Sequence, residues 1–106
     1  MNLTVADGLA LYAAVAEGAR RHPSLSFLLF PPATALHPLA GARRPDDPKI
    51  GGQNCHSEPK GAFTGELSAE QLREAGAEYL LVGHSERRRL FCESDTQCRQ
   101  KLQAAW

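Results

Sequence analysis

Three short strand-like segments, each separated from the next by a stretch of helical spacing, constrain this chain more than any other feature. Leu25–Phe30 is apolar and stopped by Pro31-Pro32, the pattern of a strand buried on both faces. Glu78–Val82 is the strongest strand of the three. Lys49–Asn54 is poor on propensity, because Gly51 and Gly52 sit where β-branched residues would help. Thr4 with Asp7 predicts a capped first helix that stops before His22-Pro23, with Val5, Leu9, Tyr12 and Ala16 on its apolar face. A weaker helix is predicted from Ala33 to Ala42 despite Pro38. Ser68 with Gln71 opens a third that ends at Gly76, and Ser94 with Gln97 opens a fourth running through Leu102 and Ala105.

Strands recurring at roughly 22–30 residues with helices between them imply right-handed βαβ units and a parallel sheet. Three parallel strands leave two edges without a neighbour, and a closed α/β barrel takes about 250 residues. The chain has 106 residues, room for one domain at most. The reading is therefore α/β with three parallel strands and four helices, incomplete as a fold.

Composition bears mainly on what is excluded. With 42% apolar and 23% charged residues the chain reads as globular, and its formal net charge of zero gives no electrostatic case for a nucleic-acid or membrane partner. No apolar run is long enough for a transmembrane helix, and Met1–Leu11 lacks the form of a signal peptide. Cys55, Cys92 and Cys98 make no even-numbered disulfide framework, so a reducing, cytoplasmic setting is the default expectation.

The chemistry concentrates in Val82-Gly83-His84-Ser85-Glu86-Arg87-Arg88, at the C-terminal end of the best strand, the edge where α/β folds bind ligands. Ser85 can begin a short helix with Glu86 in its first turn and arginines toward its end, an order that suits the helix dipole. Positive partial charge at that N-terminus disfavours a cationic His84. A neutral imidazole can donate a hydrogen bond to a substrate carbonyl and stabilise an enediolate. The plainer alternative is a histidine that only caps a loop. A second stretch, Gln53-Asn54-Cys55-His56 followed by Ala62-Phe63-Thr64-Gly65-Glu66, is a structured loop in which Gly61 and Gly65 supply unusual backbone angles.

Taken together, Phe30-Pro31-Pro32, Gln53-Asn54, Gly61–Glu66 and Gly83–Arg88 resemble the triosephosphate isomerase family in order and separation, over nearly the whole chain. The resemblance implies a partial TIM (β/α) barrel and the interconversion of glyceraldehyde 3-phosphate and dihydroxyacetone phosphate, in glycolysis and gluconeogenesis, without cofactor or metal. That family is itself the standard worked case of a neutral histidine electrophile paired with a glutamate base, and the role is carried over to His84. Glu86 would be the carboxylate that supports the family's catalytic lysine, with Ser85 beside it. Thr64 and Phe63 would reach a partner subunit across a homodimer interface, with Cys55 at or near it. Arg87 and Glu93 would form an ion pair behind the site.

The family's first strand ends Asn-Trp-Lys-Met-Asn, whereas this chain begins Met1-Asn2, so the expected start falls just after the lysine. Trp106 falls in the family's fourth barrel helix. The expectation is one partial domain over 1–106, truncated at both ends, without the lysine, the glutamate base, the lid and the phosphate loops. Such a chain would be catalytically incomplete, or a non-catalytic association or folding unit. Cys92 stands where the family usually carries glycine, and would be strained if that position needs a positive φ.

Three rivals are weaker. A serine-hydrolase elbow needs a small residue where Arg87 stands. The spacing of Cys55, His56, His84, Cys92 and Cys98 matches no common zinc pattern. The Arg87-Arg88-Arg89 run is surrounded by balancing acids and reads as a solvated helix face rather than a nucleic-acid patch.

Overall fold

In a computed structural model, residues 2–106 are described; Met1, on which the expected start falls, lies outside the described residues. The elements run α1 (Val5–Arg20), β1 (Leu28–Leu29), α2 (Ala33–Ala42), β2 (Lys49–Gly52), α3 (Ala69–Glu74), β3 (Tyr79–Leu80), α4 (Ser85–Leu90) and α5 (Asp95–Ala105). The sheet order is β1-β2-β3, and both pairs are parallel, with Leu28 opposite Lys49 and Gly51 opposite Tyr79.

Local chemistry explains the helix starts. Thr4, Ser68 and Ser94 each accept a hydrogen bond from the backbone N–H three residues on, and Asp7, Gln71 and Gln97 each close the reciprocal bond. Each cap satisfies donors that a helix N-terminus otherwise leaves without partners.

Two expectations need correction. Among the described residues the helices number five, not four, because the short helix that Ser85 can begin is present as an element of its own, α4, before α5 begins. The outer strands are also shorter than their apolar runs, and β1 is not buried on both faces. Leu28 is 37% exposed and Tyr79 43% exposed, because β1 and β3 each have a single neighbour in the sheet.

The weakest strand by propensity holds the centre. Ile50 is fully buried, and a Cβ added at Gly51 would stand 2.5 Å from the Phe30 ring and 2.7 Å from the Tyr79 carbonyl oxygen. Gly52 is pressed in the same way by Leu72. The glycines are there because side chains from both sides already fill the space. The core lies between β2 and helices α1 to α3: Tyr12, Ala35, Leu36, Leu39, Ile50, Cys55 and Leu72. The Tyr12 hydroxyl, buried with them, donates to the Pro48 carbonyl at 2.6 Å.

Because all three strands run the same way, their C-terminal ends share one edge. Gln53 Nε2 donates to the Phe30 carbonyl at 2.8 Å and ties the ends of β1 and β2 together. His84 projects from that edge, just beyond β3.

Candidate active site

His84 is the N-cap of α4, and its ring Nδ1 accepts a hydrogen bond from the Glu86 backbone N–H at 3.2 Å. With Nδ1 occupied as an acceptor, the neutral ring carries its proton on Nε2, which is then a donor. The Glu86 carboxylate lies 3.9 Å from the same Nδ1. A nitrogen that is accepting from the backbone has no proton to share with it, so that contact is not an ion pair. The His84 side chain is 48% exposed, and Ser85 and Glu86 are exposed beside it.

Behind the histidine lies a buried charge cluster. Glu93, 6% exposed, accepts from Arg87 Nε at 3.1 Å, from the Lys101 ammonium, and from the Gly83 backbone N–H at 3.2 Å. Lys101 Nζ also donates to the Asn54 side-chain oxygen at 2.7 Å. The end of β2, the turn after β3 and helix α5 are thus fastened to one carboxylate. Burial pushes the Glu93 carboxyl up, but hydrogen bonds from Lys101 and Arg87 outweigh burial and hold it below the ordinary carboxylate range.

The expected Arg87–Glu93 pair is present, but Lys101, which also donates to Glu93, and Asn54, which accepts from Lys101, carry no such role in the sequence reading. A signal existed: Cys98 and Lys101 are the buried pair of α5, three residues apart on one face. A lysine on the buried face of a helix implies an acid beneath it.

The loop 54–67 is closed at its base, where His56 N–H donates to the Leu67 carbonyl at 2.8 Å and His56 bridges to Ser68. The Phe63 ring lies 4.0 Å from the His56 ring, Phe63 and Thr64 are on the surface, and Gly61 and Gly65 take positive φ. Cys55 is fully buried in this chain's own core, and burial raises its thiol pKa. Among the described residues no three histidine, cysteine or acidic side chains converge as metal ligands, and no helix is long and apolar enough to cross a membrane. A groove of about 840 Å³ runs beside β3, lined by Leu72, Tyr79, Leu80, Leu102 and Trp106, away from His84.

The family model of triosephosphate isomerase matches residues 1–106, the full chain. The chain belongs to the triosephosphate isomerase family. It is 50% identical over 82 residues to the triosephosphate isomerase of Afipia carboxidovorans, covering 77% of this chain and 33% of that protein. Against the Acidithiobacillus ferrooxidans isomerase it is 40% identical over 105 residues, covering 99% of this chain and 41% of the relative. The crystal structure of triosephosphate isomerase from Bartonella henselae superposes with a TM-score of 0.91 at 42% identity, covering 100% of this chain and 44% of that one. The fold is therefore a sector of a TIM barrel. The chain spans about a third to two-fifths of the length of these curated relatives.

Proposed function

We propose that these 106 residues supply the electrophile for isomerising a three-carbon sugar phosphate, with His84 Nε2–H donating to the substrate carbonyl as an enediolate forms. The observation that carries this reading is the hydrogen bond from Glu86 N–H to His84 Nδ1, which fixes the tautomer whose free nitrogen is a donor. A donor aimed at developing negative charge is worth on the order of 10²–10³ in rate. Proton transfer at carbon also needs a base, which contributes typically about 10²–10⁴-fold. Neither carboxylate beside His84 is placed as that base: Glu93 is engaged by four donors, Gly83 N–H, Arg87, Cys98 and Lys101, and Glu86 lies on the Nδ1 side of the ring, away from the donating nitrogen. In this reading 1–106 is one partial barrel domain, working without metal or cofactor alongside a base from elsewhere.

The family reading extends to a homodimer in the cytoplasm, acting in glycolysis and gluconeogenesis. Thr64 and Phe63, exposed at the tip of a loop closed at its base, present the surface for a partner subunit, with Cys55 buried beneath. Glu86, exposed beside His84, is free to meet a lysine contributed from elsewhere in a barrel, with Ser85 starting the helix between them.

A chimera tests the activity. Residues 1–106 replace the matching segment of the Bartonella henselae enzyme, and isomerisation of glyceraldehyde 3-phosphate is measured. Turnover supports the reading; a folded chimera with none overturns it.

A further inference from the structure

The residue before the electrophile is a glycine in a left-handed conformation. Gly83 has φ +70°, a left-handed value that L side chains rarely adopt, and a Cβ there would meet Cys98 Sγ at 2.9 Å and Arg88 Nη2 at 3.1 Å. Glycine is required, and glycine is also the residue whose flanking peptide planes rotate most easily. Gly83 C=O and His84 N–H share one such plane, so its rotation changes the direction in which the imidazole leaves the backbone.

Side chains close on both polar groups of Gly83. Its N–H donates to Glu93, and its carbonyl accepts from Arg88 Nε at 3.0 Å. Arg88 is itself held at its far end by Asp95, with Nη1 2.6 Å from Oδ1. Asp95 opens α5, so the guanidinium spans from the turn after β3 to a separate helix. An arginine serving only as a surface ion pair has no need to turn Nε onto a carbonyl five residues back.

We propose that Arg88, anchored by Asp95, is a positioning residue for His84: its guanidinium locks the Gly83–His84 peptide and so holds the imidazole in the single tautomer whose Nε2 is the donor. The proposal rests on the electrophile reading above, but its test needs neither substrate nor turnover. Failure in the variants alone leaves the isomerase reading standing, averaged shifts in the wild type count against both, and an inactive chimera leaves this one standing.

The experiment is ¹⁵N NMR of the histidine rings in the 106-residue chain, with the His84 signals assigned by their loss in His84→Gln. The wild-type ring shows the fixed Nε2–H pattern. Arg88→Met collapses it to averaged Nδ1 and Nε2 shifts, while His56, whose Nδ1 accepts from Glu58 N–H at 3.0 Å, keeps its own pattern as an internal control. Arg89→Met, which removes the same charge one residue along α4, leaves His84 unchanged. Asp95→Ala, at a side chain 92% exposed, removes the acceptor and releases the far anchor without burying or exposing core, and it also averages the His84 shifts. It provides the test should Arg88→Met fail to fold. A wild-type pattern in Arg88→Met or Asp95→Ala overturns the proposal. So does equal averaging in Arg89→Met, which would make the effect one of charge, or averaged shifts already present in the wild type.

Discussion

At the residue scale, Cys92 has φ +53°, the left-handed region in which a β-carbon crowds the following carbonyl oxygen. Replacing it with glycine removes that strain, which outweighs the opposing gain in unfolded-state entropy, so Cys92→Gly is expected to stabilise the chain by about 1 kcal/mol at most, read as a raised Tm. Cys92 is exposed, whereas Cys55 and Cys98 are buried, so brief alkylation of the native chain should label Cys92 alone by mass spectrometry. Glu93 carries the larger stake. Removing one partner of a buried pair leaves the others charged and unmatched, so Glu93→Ala is expected to cost about 3–5 kcal/mol in urea unfolding. Its carboxyl is depressed on folding, so its contribution is complete above the unfolded value near 4.5 and drains away as pH falls through the lower folded-state value. Unfolding curves across that acid range should slope in the wild type and slope less in Glu93→Gln, where Asp47 and Glu78, also depressed by their arginine partners, keep the remainder. The place of His84 at the start of a short helix, the Arg87–Glu93 pair and the strain at Cys92 were legible in the sequence, because each lies in or beside one contiguous motif. Lys101, Asn54, Arg88 and Asp95 were not given these roles, since their contacts depend on where α5 and the end of β2 come to rest.

At the scale of elements, the signals that held best were local ones. All three capping boxes and the glycine stop at Gly76 can be read from four or five adjacent residues, and the structure contains each of them. The strands were harder, since strand length depends on neighbours that no single segment reveals. Lys49–Gly52 has the poorest propensity and the most central place, because Phe30, Tyr79 and Leu72 press on its glycines. Adding a single methyl there is expected to overpack the sheet: Gly51→Ala should lower stability by about 1–3 kcal/mol in chemical denaturation. A loss no larger than a surface substitution gives would show that the neighbours can move.

At the scale of the whole molecule, the sheet has two unpaired edges, β1 and β3, and a groove beside β3. Open parallel edges favour pairing with other chains, so sedimentation of the 106-residue chain should show association that grows with concentration. Assayed alone, the same chain should convert no glyceraldehyde 3-phosphate above the uncatalysed rate, because neither Glu86 nor Glu93 is placed to act as a base at the donating side of His84. Its membership of the isomerase family and its incomplete barrel were both legible, the first from the Gly83–Arg88 and Gly61–Glu66 motifs and the second from counting strands against chain length. The histidine's tautomer was not, since it depends on the hydrogen bond that Glu86 N–H makes. The most direct test of the account is kcat for the Bartonella henselae chimera carrying residues 1–106, compared with the same chimera bearing His84→Gln. The account predicts that kcat falls by on the order of 10²–10³ while KM changes little, since the histidine's bond strengthens mainly as the enediolate forms. An unchanged kcat in the variant would contradict it, and His84 would then be only the cap of a short helix.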